Sequence, residues 1–392
     1  MLKEKIHQLD DKYLEEFIKL RRNIHENPDL CYQEQDTAAF VESKLQELGL
    51  QTKRLADTGV VALIEGKNPD NRTIALRADM DALPIQEANN VPYRSKKDGI
   101  MHACGHDVHT TCLLGAAKIL TELRNEWTGT VKLIFQPGEE KNPGGASYMI
   151  RDGVLKNPSP QSIFALHVHP GLATGQVSFR SGKVMASADE LYFTIKGKGG
   201  HAAAPHLVID PILIASHLII SLQQIISRNR NPHHPSVLSI TAFQAGTTTN
   251  VIPDEVKLMG TFRAMDEDWR AEGHRLLHKY TKEITESMGG SAELHIDKGY
   301  PCVFNDETLH TKAVQLAENF LGKEHVEETE LRMGAEDFGY YSQEIPGCFF
   351  RLGVMNREKG ITSGVHTPTF DIDESAIKTG MGLLAWMGAN AS

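Results

Sequence analysis

Residues 190–206 read ELYFTIKGKGGHAAAPH, and the fold turns on how this stretch is taken. Its first half is strand-like, and it runs into a Gly-rich loop, a break that ends regular structure. Outward from it, a long apolar helix is predicted over about 208–228, strands over 237–243 and 256–263, a polar helix over 267–287 and a strand over 291–297. That β-α-β-β-α-β order is the ferredoxin-like signature of a compact two-layer unit. Before residue 185 the texture differs. Short apolar runs at 60–65 (VVALIE), 73–79 (TIALRAD), 130–135 (TVKLIF) and 162–168 (SIFALHV) read as buried strands, with a helix over 107–125 among them. Asp107 stands where its carboxylate can cap that helix. After residue 300 another helix and strand follow, then a final apolar helix. The expected class is α/β with two domains: a mixed-sheet α/β domain, 1–185 and 299–392, interrupted by an inserted ferredoxin-like α+β domain, 186–298.

A chain of 392 residues is long for one core, which agrees with two domains. Residues 1–22 form no leader pattern; Ile6, Leu9, Tyr13, Phe17 and Leu20 instead mark one face of an amphipathic helix. No stretch approaches a membrane span, so the expected compartment is the cytoplasm. Cysteines 31, 104, 112, 302 and 348 are odd in number and scattered, which favours reduced thiols over a disulfide framework. A net charge of −10 argues against a nucleic-acid partner or an anionic membrane surface.

Four short pieces carry chemistry. MHACGHDVHTT, 101–111, sets Cys104 and His106 on a turn before a helix, where thiolate and imidazole suit zinc and other borderline cations. Taken alone, a buried cysteine beside a polar helix start explains it equally well. QPGEEKNPGG puts Glu139 and Glu140 directly after a strand; adjacent carboxylates repel, and a cation is the usual way to keep both charged. ALHVHP offers His167 and His169 at a strand end, and GVHTPTF offers His366 in a loop before the last helix. Each is weak alone, but ligands in open α/β sheets gather beyond strand carboxyl ends, and together the four point to one metal site.

RADMDALP, HACGHD, QPGEE, LHVHP, GKGGHAAAPH, NVIP, GAEDF and HTPTF, in this order from about residue 20 onward, resemble the metal-dependent aminoacylase and glutamate-carboxypeptidase superfamily. More narrowly, they resemble its amidohydrolase branch of hippurate and indole-acetyl-amino-acid hydrolases. The resemblance implies that the outer domain is catalytic, with two divalent metal ions per subunit (manganese or zinc, with cobalt or nickel tolerated), and that the inserted domain is a lid through which a homodimer or higher oligomer forms. It makes Cys104, His106, Glu140, His167 and His366 metal ligands and Glu139 the general base. His201 becomes the oxyanion donor, reaching the partner's site, while Asn250 and Arg263 are substrate-binding candidates; Arg263 is suited to grip a free carboxylate. The wider superfamily has His-x-Asp where this chain has Asp79-Met80-Asp81, so Asp79 and Asp81 are expected to orient ligands rather than bind metal. His102, His109 and His169 are expected to be structural or to support ligands from behind. Glu336 and Asp337 in GAEDF receive no role.

The implied activity is hydrolysis of the amide in an N-acyl-amino acid. A dipeptidase or carboxypeptidase with the same metal site is the nearest alternative. A metal-binding protein without catalysis would have no need of Glu139. A cysteine hydrolase using Cys104 with His106 is a third possibility, made awkward by the single intervening residue.

Overall fold

The computed structural model describes residues 1–391, which form two compact units. The first comprises Met1–Val184, Phe304–Leu331 and the chain from Asp337 onward. Its eight-stranded sheet runs, in spatial order, Thr52–Leu55, Gly59–Glu65, Thr130–Gln136, Thr73–Asp79, Ser162–Ala173, Gly347–Met355, Val177–Phe179 and Val326–Glu328. The four strands from Thr130–Gln136 to Gly347–Met355 in that order are parallel, while Gly59–Glu65 pairs antiparallel with both its neighbours. The sheet is therefore mixed. Thr73–Asp79 and Thr130–Gln136 are buried at every position, as parallel strands covered on both faces must be, and this is why they read as near-continuous apolar runs. The helices Leu2–Glu26, His106–Glu122 and Ala376–Asn390 pack together in the same core. The first buries Ile6, Leu9, Tyr13, Phe17 and Leu20, the stripe expected from spacing.

Two local expectations need correction. The strand beginning at Ser162 does not stop at 168 but continues to Ala173, because Gly347–Met355 pairs with it from Ile163 to Ala173. His167 and His169 therefore lie inside a strand rather than at its end. Asp107 does not cap its helix: Gly105 occupies the cap position without a side-chain bond, and the Asp107 carboxylate is held by Arg21 and His25 at 2.7 Å each. A buried guanidinium is a stronger partner than an amide N–H.

The second unit comprises Met185–Val303 and Arg332–Glu336. Its antiparallel sheet has the spatial order Ser236–Gln244, Glu255–Ala264, Asp189–Lys196, Ser291–Lys298. The helices Pro211–Gln224 and Glu267–Ser287 close one face over Leu191, Phe193, Ile195, Val256, Leu258 and Phe262. Asp210 and Asp266 cap these helices through backbone N–H groups, and Pro211 takes the first-turn place where its missing N–H costs nothing. The α-helical part of the first ends at Gln224, and a π-helical turn, Ile225–Asn229, completes it. The chain is thus an α/β protein of two domains, a mixed-sheet unit with a ferredoxin-like α+β insertion. Among the described residues no helix is long and apolar enough to cross a membrane.

Candidate metal centre and its surroundings

The site grows from the carboxyl ends of the parallel strands, where backbone groups and loops converge. Asp79 ends one strand, and Gln136 ends its neighbour and leads into Glu139 and Glu140. Arg77 pairs with Ala165, which sets His167 level with Asp79. Between Cys104 and His106 the chain turns at Gly105, whose φ is +85° and where a Cβ would lie 2.5 Å from Val168. Only glycine meets both demands. His366 arrives from far along the chain; its N–H donates to the Ala103 carbonyl at 2.7 Å. Its φ of 61° is a left-handed conformation uncommon outside glycine, though histidine tolerates it better than most residues.

These elements bring together all five residues expected as ligands and the expected base. Cys104 Sγ lies 3.4 Å from His167 Nε2 and 3.3 Å from His366 Nε2, and His366 Nε2 lies 3.1 Å from Glu140 Oε1. Ligand atoms of Cys104, His106 and His167, of Cys104, Glu140 and His366, and of His106, Glu139 and Glu140 each fall within 4.8 Å of one another. His106 Nε2 is buried without a hydrogen-bond partner, a costly state that a cation would relieve. A thiol, three imidazoles and a carboxylate form a donor set suited to borderline divalent metals. The residues fit the group.

Hydrogen bonds behind the cluster fix which ring nitrogens face it. His106 Nδ1 meets Asp81 Oδ1 at 3.1 Å, leaving Nε2 toward the centre. His167 Nδ1 donates to the Val168 carbonyl at 2.7 Å, which frees its Nε2 in the same way. The second oxygen of Asp81 accepts from Cys31 at 2.7 Å and from the Glu140 N–H at 2.9 Å. Asp79 Oδ1 meets His109 Nδ1 at 2.5 Å, and His109 Nε2 accepts the Val168 N–H at 2.9 Å. Burial alone would raise the Asp79 carboxyl, but His106, Arg77 and His109 outweigh it and hold it well below the usual range. Burial beside Glu140 pushes the Cys104 thiol up to about 11. Burial, with His109 and Arg351 nearby, holds His167 neutral, the form in which imidazole ligates.

Several residues here have a role that the sequence does not assign. Asp337 is a buried anchor that accepts from Arg77 at 2.7 Å, from Gln136, and from the Ala146 N–H at 2.9 Å. Cys31, Tyr32 and Glu34 all reach the strand-end loops. Only the tertiary fold brings them there. His102 is buried with neither ring nitrogen hydrogen-bonded, and burial lowers it to about 4, keeping it neutral.

The remaining candidates belong to the second unit. His201 sits in a two-residue strand, Gly200–His201, opposite Val251, and the Ala202 N–H donates to the Asn250 carbonyl at 3.0 Å. The His201 and Asn250 segments therefore come together. His201 is exposed and its Nδ1 accepts the Ala203 N–H at 3.1 Å, so in the neutral ring Nε2 carries the proton. Arg263 lies instead in the four-stranded sheet, paired with Val237, with its Nε donating to Thr261 Oγ1 at 3.2 Å.

The chain is 42% identical over 376 residues to IAA-amino acid hydrolase ILR1-like 4 of Arabidopsis thaliana, covering 94% of this chain and 84% of that protein. It is 37% identical over 376 residues to thermostable carboxypeptidase 2 of Saccharolobus solfataricus, covering 95% and 94%. Among solved structures it is similar to the YXEP protein of Bacillus subtilis, described as a dinuclear metal-binding peptidase. That likeness has a TM-score of 0.84 and 36% identity, covering 97% of this chain and 98% of the other. The profile of peptidase family M20/M25/M40 matches residues 75–387. The chain belongs to that family, in its amidohydrolase branch, and is a metal-dependent amidohydrolase or peptidase.

Proposed function

We propose that this enzyme is an N-acyl-amino-acid amidohydrolase that works with two divalent metal ions per subunit, manganese or zinc, with cobalt or nickel tolerated. The observation that carries the reading is the convergence of Cys104, His106, Glu140, His167 and His366 around a buried Glu139. The 42% identical plant relative is named an IAA-amino acid hydrolase, which supports this substrate class. When bound, such ions polarise the amide carbonyl and lower the pKa of water toward neutrality. Glu139 then takes the proton of the attacking water and passes it to the leaving amine. His201 donates from Nε2 to the oxyanion as it forms. Arg263 grips the free carboxylate of the amino-acid moiety, and Asn250 is a further substrate-binding residue. Asp81 keeps His106 turned so that its Nε2 faces the centre, and Asp79 holds His109 behind the cluster.

In this reading the enzyme acts in the cytoplasm, which its five free thiols suit, and forms a homodimer through the inserted unit, with His201 serving the partner's site. The helix Pro211–Gln224 turns Leu213 and Ile220 to solvent at 52% and 72% exposure, and Ser236–Gln244 is a sheet edge; both features suit pairing with a second copy.

The test is hydrolysis by metal-reconstituted enzyme of a panel of hippurate, N-acetyl-amino acids and indole-acetyl-amino acids, with dipeptides and C-terminally extended peptides as comparators. Faster cleavage of the acyl-amino acids is expected. Preference for the peptides, in line with the carboxypeptidase relative, overturns the substrate assignment.

A further inference from the structure

We propose that the loop between the first two helices, through Tyr32 and Glu34, is a positioning device for Glu139. The inference rests on the reading of Glu139 as general base. A base must be held within hydrogen-bond reach of the proton it moves, yet Glu139 lies in a stretch, 137–144, that is neither helix nor strand. Its place is set from outside. Glu34 is fully buried, and its Oε1 accepts the N–H of Gly138, the residue before Glu139, at 2.8 Å. The same oxygen accepts the Tyr32 N–H at 2.8 Å, and Oε2 accepts from Thr58 Oγ1 at 2.7 Å.

Tyr32 holds the other side. Its hydroxyl donates to the Lys141 carbonyl at 2.7 Å and accepts from the Gly144 N–H at 3.1 Å. The two glutamates are thus bracketed by one bond just before them and two just after. The ring of Tyr32 also lies against Gly138, where φ is +58° and a Cβ would come 2.2 Å from the ring. Tyr32 itself has a φ of 61°, a conformation that an aromatic residue keeps only when its surroundings over-determine it. A buried carboxylate is costly, and Glu34 spends its oxygens on fixing the two backbones that meet beside Glu139.

A simple loop staple and a positioning device differ in how they couple to the base. Glu34→Ala, Glu34→Gln and Tyr32→Phe are made alone and in a Glu139→Gln background. They are assayed on the panel member that the parent cleaves fastest, with metal content measured by elemental analysis. Glu34→Ala lowers kcat about tenfold to a hundredfold, with KM and metal content kept. Glu34→Gln recovers most of that loss, because its amide oxygen still accepts both N–H groups and its NH2 donates to Thr58. Tyr32→Phe lowers kcat less. In the Glu139→Gln background Glu34→Ala has no further effect, since no base remains to be misplaced. An equal loss in both backgrounds, or loss of metal in Glu34→Ala, overturns the inference. If Glu34→Ala does not fold, Tyr32→Phe in the two backgrounds decides in the same way. Should Glu139→Gln itself turn over like the parent, the base assignment falls and this inference with it; an inactive Glu139→Gln beside a fully active Glu34→Ala overturns the inference alone.

Discussion

The two neighbourhoods that hold the candidate residues are built on opposite plans. In the mixed-sheet unit, Cys104, His106, Glu139 and His167 are buried, and residues from separated stretches of chain hold the cluster by hydrogen bonds. In the inserted unit, His201 is exposed on a two-residue strand and Asn250 is exposed beside it. The first arrangement pre-organises donors, and burial strengthens the charge interactions of those four buried residues, while Glu140 is half-buried and His366 stands exposed at the edge. The second presents one or two donors on a surface. A buried site is sensitive to the loss of any member, whereas a surface donor matters only for the step it touches.

The largest effect is expected where the proposed base is removed. Glu139→Gln should lower kcat by about 100- to 10,000-fold while metal content and KM stay near parental values, whereas Glu140→Gln and Cys104→Ala should shed metal on elemental analysis. Chelation should abolish activity, and readdition of manganese or zinc should restore it. Full metal occupancy in Cys104→Ala would remove that residue from the ligand set.

The next effect falls in the inserted unit. His201→Ala should lower kcat by about 100- to 1,000-fold, as loss of an oxyanion donor does, without loss of metal. With the proposed dimer and shared site, equal amounts of Glu139→Gln and His201→Ala subunits, co-refolded, should return roughly a quarter of parental activity, because half of randomly paired dimers would be mixed and each would have one complete site. No recovery would show that His201 serves its own subunit.

A smaller effect is expected at Arg263. Its replacement by Ala should raise KM about tenfold for substrates with a free carboxylate and far less for their amides. An equal change for both would leave Arg263 a strand residue bonded to Thr261.

The smallest effect contrasts two buried carboxylates in the same unit. Asp81 accepts from His106, Cys31 and the Glu140 N–H, and these donors outweigh burial and hold its pKa down. Asp10 is 1% exposed, its Oδ1 has no hydrogen-bond partner, and burial raises its pKa to about 7. The folded state thus holds a proton that the unfolded state loses near pH 4, so stability falls as pH rises from about 4 to 7 and stays lower above that. Asp10→Asn should raise the melting temperature by a few degrees at pH 8 and leave it nearly unchanged at pH 4. A uniform shift across pH would mean that Asp10 ionisation is not the cause.

Much of this molecule was legible without coordinates. The ferredoxin-like order around residues 190–206, the buried parallel strands and the amphipathic first helix each follow from local periodicity, because side-chain spacing and backbone geometry are coupled within a few residues. The residue types of the site were legible too, since a thiol, imidazoles and paired carboxylates at strand ends have few uses together. The extent of the His167 strand was not, because its length is set by a partner strand almost two hundred residues away. The role of Asp107 was misread for a related reason: its nearest partners in sequence are amides, and its partners in space are Arg21 and His25. Cys31, Tyr32 and Glu34 gave no signal, and Asp337 stood out in GAEDF without a role, as nothing in a lone side chain's chemistry says which backbone N–H or carboxylate it will meet. Sequence fixes which groups are available and how each segment is patterned. Which buried group meets which is decided by the tertiary packing, because an unpaired polar group in the interior must find its partner wherever the fold puts one.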